Sequence, residues 1–288
     1  YMYRDGVKLA EGGGIAFAEL AFLEHLFAAI HPQRLFVVGN AFGRNTMALA
    51  ILNSDTRIVA IDFCPTEIEE EGITFTNEMG ARLGLDVRVR KGKSPDDVAA
   101  IQHRIVGDLI EEGCQYIQLD EPSYTGYVDQ DTLERIAARG EDPSENLVRA
   151  VAASNAVIEG YEDQACFGLH ICRGNRASMW HREGTYDGIA EYLFANLKFD
   201  RLLLEYDTER AGGFEPLAFV PKGGPTVVLG LITTKDGAVE DIDTLMARVE
   251  AASEFIDLEQ LAISPQCGFA SGISGNFLSE DAQWQKLD

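Results

Sequence analysis

Beyond about residue 100, short apolar runs recur through the chain, and four of them end at a residue that can do chemistry. Tyr116–Leu119 leads to Asp120, and Ala165–Ile171 carries His170 and leads to Cys172. Arg201–Leu204 leads to Glu205, and Leu261–Ile263 leads through Ser264, Pro265 and Gln266 to Cys267. Runs that are apolar at successive positions fit strands covered on both faces, as in a parallel sheet. Helical stretches separate them, which restricts the chain to an α/β architecture. In a parallel α/β barrel the carboxyl ends of the strands converge on one face, and active sites sit there.

His170 and Cys172 stand two residues apart. In a strand, side chains at i and i+2 point to the same face. One imidazole and one thiolate would therefore aim at a common point, which is how two metal ligands are placed from one strand end. Taken alone, H-x-C fits a buried cysteine beside a core histidine at least as well. Glu205 and Cys267, each closing another predicted strand, strengthen the metal reading. A catalytic zinc keeps three or four protein ligands and one open or exchangeable position.

The first 100 residues follow a different pattern. Residues 15–30 carry apolar positions at helical spacing. Leu35–Val38 reads as a buried strand, a turn with Gly39 and Gly43 follows, and residues 45–53 read as a helix. Arg57–Asp62 is a second strand, Glu67–Leu83 a second helix, and Asp86–Arg90 a third strand. Strand, glycine-bearing turn, helix, strand and acid describe a nucleotide-binding βαβ unit, in which Gly39 and Gly43 admit the ligand and Asp62 accepts from ribose hydroxyls. An ordinary tight turn explains the two glycines equally well.

Charge and cysteine use narrow the function classes. The formal net charge is -23, with Asp and Glu at 47 against Lys and Arg at 24. That excludes a nucleic-acid partner on electrostatic grounds. No stretch approaches the roughly 20 apolar residues of a membrane helix, and no basic segment followed by an apolar run opens the chain, so neither a membrane partner nor a signal peptide is expected. Tyr1 in place of Met reads as the start of a fragment or a processed form. The 5 cysteines are widely spaced and odd in number, which fits a reducing cytoplasm and no disulfide framework. Cys64, Cys114 and Cys166 lie in or beside apolar stretches and read as small core residues.

Leu119-Asp120-Glu121-Pro122, then Leu169–Asn175, then Leu203–Asp207, then Ser264–Ser271 resemble the catalytic domain of cobalamin-independent methionine synthase. Four separated motifs occur in the right order, from about Ala99 to Asp288. The resemblance implies zinc ligands at His170, Cys172, Glu205 and Cys267, and a homocysteine-binding role for Asp120. It implies methyl transfer from 5-methyltetrahydrofolate to homocysteine. The folate's glutamate tail is anionic, and Arg173, Arg176, His181, Arg182, Lys222 and Lys235 are available as a local positive patch. Longer members place a proton-donating histidine near Thr233-Thr234-Lys235, where this chain has none.

Val37–Ala50 and Ile58–Asp62 resemble the first motifs of class I methyltransferases that use S-adenosylmethionine. That resemblance implies a second cofactor, held at Gly39, Gly43 and Asp62. The expected organisation is thus a Rossmann-like segment over 1–98, followed over 99–288 by the second half of a TIM-type (β/α)8 barrel. The junction lies near 94–104, with Ser94 as the cap of a helix. A half barrel exposes two open edges, so a homo-oligomer is one expected outcome. The alternatives to a zinc methyltransferase are an S-adenosylmethionine-binding protein and an inactive chimeric or truncated chain that binds zinc at most.

Overall fold

The computed structural model describes residues 2–4, 7–10, 17–38, 44–62, 67–91, 94–270 and 275–288. Gly39, Gly43 and Cys64 lie outside the described residues. The chain divides into two units, Tyr1–Val98 and Ala99–Asp288.

In the first unit, β1 (Met2–Arg4) and β2 (Val7–Ala10) form an antiparallel pair. Then come α1 (Phe17–Ile30), β3 (Arg34–Val38), α2 (Arg44–Leu52), β4 (Arg57–Asp62), α3 (Glu67–Leu83) and β5 (Val87–Lys91). Strands β3, β4 and β5 pair in that order and all in parallel. Ile58 and Ala60 on the central strand are fully buried, with Ala50, Val87 and Val89 around them. β5 borders this sheet on one side. There Asn77 of α3 donates to the Val89 carbonyl at 2.8 Å and accepts from the Val89 N–H at 2.7 Å. One carboxamide thus satisfies both backbone groups that an edge strand leaves open.

The second unit is built on a sheet of five parallel strands: β6 (Tyr116–Asp120), β7 (Cys166–Ile171), β8 (Arg201–Glu205), β9 (Thr226–Ile232) and β10 (Leu261–Pro265). Their order across the sheet is their order along the chain. α4 (Ser94–Glu111) runs in from the unit boundary. The connections carry α5 (Gln130–Ala138), α6 (Pro143–Ile158), α7 (Ala190–Asn196) and α8 (Ile242–Ser253), and α9 (Glu280–Leu287) closes the chain. Phe167, Leu169, Ile171, Leu202, Leu204, Val227 and Leu229 are buried in one cluster with Val151, Leu193 and Phe194 of the helices. The α/β class with parallel sheets is as expected.

Helix boundaries differ from the sequence reading where caps decide them. α5 and α9 were not expected. Asp129 accepts from the Thr132 N–H at 2.8 Å, and Ser279 accepts from the Ala282 N–H at 3.1 Å, so each short helix is started by its cap. α6 begins at Pro143, because Asp142 caps it and proline suits the first helical position. Tyr186–Gly188 is a single tight turn, and α7 starts only at Ala190. The Tyr186 side chain is anchored elsewhere, as described below. No helix among the described residues is long and apolar enough to cross a membrane.

Candidate metal centre

The parallel register sets the site. Asp120, the last residue of β6, pairs with His170. Glu205, the last of β8, pairs with Gly230, and Gly230 pairs on its other side with Ser264. The carboxyl ends of β6, β7, β8 and β10 therefore present Asp120, His170 with Cys172, Glu205 and Cys267 at one end of the sheet.

Three of these side chains meet. The ligand-capable atoms of His170, Cys172 and Cys267 all lie within 4.8 Å of one another. His170 Nε2 is 3.3 Å from Cys267 Sγ, and the Gly174 N–H donates to Cys172 Sγ at 3.4 Å. His170 and Cys172 are buried. Cys267 is placed by its backbone: its φ of 57° is in the left-handed region, where a side-chain-bearing residue is uncommon. The turn is held on both sides, by Gln266 N–H donating to the Ile232 carbonyl at 2.7 Å and by the Thr234 hydroxyl donating to the Gln266 carbonyl at 2.5 Å.

Glu205 does not join that group. Its fully buried carboxylate accepts from the Arg173 N–H at 2.6 Å and from Gln266 Nε2 at 3.3 Å, and it pairs with the Arg210 guanidinium. Arg210 in turn lies 4.2 Å over the Trp180 ring. Gln266 Nε2 also donates to Cys267 Sγ at 3.1 Å, so a single amide links Glu205 to the three-donor cluster.

A negative charge on one sulfur disfavours ionisation of the other. The hydrogen bond from Cys267, helped by His170, holds the Cys172 thiol well below the usual thiol range. The same hydrogen bond and burial push Cys267 up. Burial would lower His170, but the hydrogen bond and negative charge of Cys172 outweigh it and raise the imidazole. Asp120 is raised by desolvation and by Cys172, with His170 opposing. Two thiolates this close ionise together only beside a cation. One imidazole and two thiols are the donor set that zinc favours. Tetrahedral zinc, with Zn–S about 2.3 Å and Zn–N about 2.0 Å, spaces its donors roughly 3.5 Å apart, so these residues fit the ion with small side-chain adjustments.

The positive patch expected around the site is mostly committed to the protein. Arg173 is fully buried, donates to the Gly184 carbonyl at 2.8 Å and stacks on Tyr186. Arg182 donates to the Pro122 carbonyl at 2.6 Å, and Lys235 pairs with Asp207 at 2.7 Å. Lys222 precedes β9 and so belongs to the opposite end of the sheet. Arg176 and His181 remain exposed on the loop after the ligands. That loop is tied to the chain beyond Cys267: Asn175 Nδ2 donates to the Gly268 carbonyl at 3.2 Å and Ser178 N–H to Asn276 Oδ1 at 3.2 Å.

Sequence reasoning missed Gln266 and Arg210. The signal for Gln266 was its place directly before Cys267; Arg210 offered none. In the first unit, Asp62 is the last residue of β4 and its backbone pairs with Lys91, while Gly39 and Gly43 lie outside the described residues. Cys114 and Cys166, expected in the core, are half-buried.

Comparison with known families decides the lineage of this arrangement. The family described as cobalamin-independent synthase, catalytic domain, matches residues 85–274. The chain belongs to that family. YxjG of Bacillus subtilis (strain 168), itself described as uncharacterized, is 41% identical over 191 residues, which cover 66% of this chain and 50% of YxjG. The chain thus spans about half the length of that relative. Methionine synthase of Pyrococcus abyssi is 26% identical over 276 residues, covering 92% of this chain and 72% of that protein. An alignment of that length extends into the first unit. A Listeria monocytogenes crystal structure, provisionally described as a vitamin-B12-independent methionine synthase, has a TM-score of 0.53 at 23% identity, covering 94% of this chain and 83% of that one. At that identity it shows the fold alone.

Proposed function

We propose that this member of the cobalamin-independent synthase family is a zinc-dependent methyltransferase that moves the methyl group of 5-methyltetrahydrofolate to homocysteine. One observation carries the reading: an imidazole and two thiols, from the ends of two strands, gather within 4.8 Å. His170, Cys172 and Cys267 would hold the ion, with Glu205 beside them as the fourth donor that the resemblance implies. Zinc, when bound, supplies a Lewis acid that lowers the pKa of a substrate thiol. The homocysteine sulfur, as thiolate, attacks the methyl carbon. The carbon–nitrogen bond breaks, its electron pair passes to the folate nitrogen, and that nitrogen takes up a proton.

Other residues follow from their placement. Asp120, beside His170 in the register, would accept the substrate ammonium. The exposed Arg176 and His181 would face the anionic tail of the folate. The five strands in chain order are read as the second half of a (β/α)8 barrel. We further infer a methionine-biosynthetic role in the cytoplasm. The reading predicts one zinc per chain in the purified protein, lost in Cys172→Ala and in Cys267→Ala, and methionine formed from the two substrates. Zinc without methionine formation would leave the alternative of an inactive chain that only binds metal. Unchanged zinc in both variants would remove the site.

A second reading concerns residues 15–98. The parallel order of β3, β4 and β5, with Asp62 ending β4, supports a Rossmann-like segment that binds S-adenosylmethionine at Gly39, Gly43 and Asp62. Calorimetric titration with S-adenosylmethionine tests it, and no heat of binding at millimolar ligand would remove it.

A further inference from the structure

Two lysines are buried among the described residues, and they are held differently. Lys286 of α9 gives its ammonium to the Ala238 carbonyl and to both oxygens of Glu240, so all three hydrogens have acceptors. Lys235 gives its ammonium to a single acceptor among the described residues, Asp207 Oδ2 at 2.7 Å. Two of its three donors meet no protein acceptor there. The Lys235 side chain is 7% exposed, and that of Asp207 is fully buried. Asp207 is pinned in turn by the Thr233 hydroxyl at 3.0 Å, and its Oδ1 faces the Arg210 guanidinium at 4.0 Å. The pair stands at the carboxyl end of the sheet. Asp207 lies two residues beyond Glu205, and Thr234, next to Lys235, donates to the carbonyl of Gln266, the residue before Cys267. The Lys235 charge reaches the Cys267 sulfur, whose ionisation it favours. A buried ion pair adds little stability over an apolar pair of the same volume, so its place beside a reaction centre asks for a chemical reason.

We propose that Lys235 is the general acid of the methyl transfer, giving its proton to the departing folate nitrogen. The inference rests on the methyl-transfer reading above and names the proton donor that reading requires. As the homocysteine sulfur bonds to the methyl carbon, the carbon–nitrogen bond breaks and its electron pair stays on the nitrogen. That nitrogen becomes strongly basic as the bond breaks, so an ammonium is acid enough to protonate it. One N–H bond of Lys235 breaks, its proton bonds to the nitrogen, and the lysine is left as a neutral amine. Solvent returns the proton before the next turnover. Other groups at this end of the sheet are spent. The guanidinium groups of Arg173, Arg182 and Arg210 do not release protons. His170 is one of the proposed metal donors, and the Tyr186 hydroxyl already donates to the Ile171 carbonyl.

Two methyl donors separate an acid from a structural residue. The zinc-loaded chain is given homocysteine with either 5-methyltetrahydrofolate or methyl iodide. The folate nitrogen must be protonated to leave, whereas iodide leaves as a stable anion and needs no acid. In Lys235→Ala the rate with the folate should fall about 100-fold or more, while enzyme-dependent alkylation by methyl iodide and zinc content stay at wild-type values. Lys235→Arg keeps a cation beside Asp207 but cannot release a proton. It should show the same split between donors, and it decides the matter if Lys235→Ala fails to fold. Added alkylammonium ions should restore the folate rate of Lys235→Ala, and the stronger acid of two ions of equal size should restore it further.

Three results overturn the proposal while leaving the methyl-transfer reading intact. They are an unchanged folate rate in both Lys235 variants, an equal loss with both methyl donors, and a rescue that is absent or indifferent to acid strength. A wild type that transfers no methyl group from the folate would instead remove the reading itself, and the proposal with it.

Discussion

The Tyr186 hydroxyl accepts a hydrogen bond from the Glu205 backbone N–H at 3.0 Å and donates one to the Ile171 carbonyl at 2.7 Å. One buried side chain therefore ties β7 to β8 where Cys172 and Glu205 leave the sheet. Tyr186→Phe would leave a buried N–H and a buried carbonyl without partners. A loss of about 2–4 kcal/mol in unfolding free energy is expected, measured by urea denaturation at constant slope.

Asp129 joins α5 to the loop that follows the metal ligands, accepting from the Thr132 N–H at 2.8 Å and the Glu183 N–H at 2.9 Å. Burial alone would raise its carboxyl, but the hydrogen bonds from Glu183 and Thr132 together hold it below the usual range. Unfolded, it titrates near 3.9. A depressed folded value means its contribution is complete above about pH 4 and is lost as the pH falls through the folded value. The stability gap between wild type and Asp129→Asn should therefore shrink on acidification from pH 6 to pH 3. A gap that stays constant in urea melts across that range would contradict the assignment.

Gly184 has a φ of 108°, and a Cβ added there would sit 2.5 Å from the Val128 carbonyl oxygen. Both the backbone conformation and the space demand glycine. Gly184→Ala should cost about 2 kcal/mol or more. The melting temperature should fall by roughly 5 °C in a thermal scan.

Arg173 was expected to help bind an anionic ligand, and it is a core residue instead. Its guanidinium reaches the Gly184 carbonyl at 2.8 Å and the Glu205 carbonyl at 3.4 Å, with the Tyr186 ring 4.6 Å away. A lysine cannot span two carbonyls and stack in this way. Arg173→Lys should lower stability by about 2 kcal/mol, seen in the midpoint of chemical denaturation.

If zinc is held as proposed, it binds the folded chain and stabilises it by mass action. A chelator should lower the melting temperature of the wild type. The same chelator should leave that of Cys172→Ala unchanged, because that variant has no ion to lose. Equal chelator effects on both proteins in a thermal scan would argue against the site.

Much of this protein was legible from local pattern. Successive apolar residues marked Leu35–Val38, Arg57–Asp62, Ala165–Ile171 and Arg201–Glu205 as buried strands, each within a residue of its final bounds, because a strand covered on both faces needs apolar side chains in both directions. The i, i+2 spacing put His170 and Cys172 together, since the strand period is fixed by covalent geometry. Short capped helices were missed at Gln130–Ala138 and Glu280–Leu287, where few turns carry the periodicity and a single cap decides the start.

Residue type and spacing by themselves determined the α/β class and the chemistry available at the strand ends. Strand period and side-chain polarity are local properties, so they can be read along the chain. Only the tertiary structure decided which of those groups meet. It brought Cys267 to His170 across β8 and β9, turned Glu205 toward Arg210 and Gln266, and buried Arg173 where a surface charge was expected. Those outcomes depend on strand register, which is not encoded within any one segment.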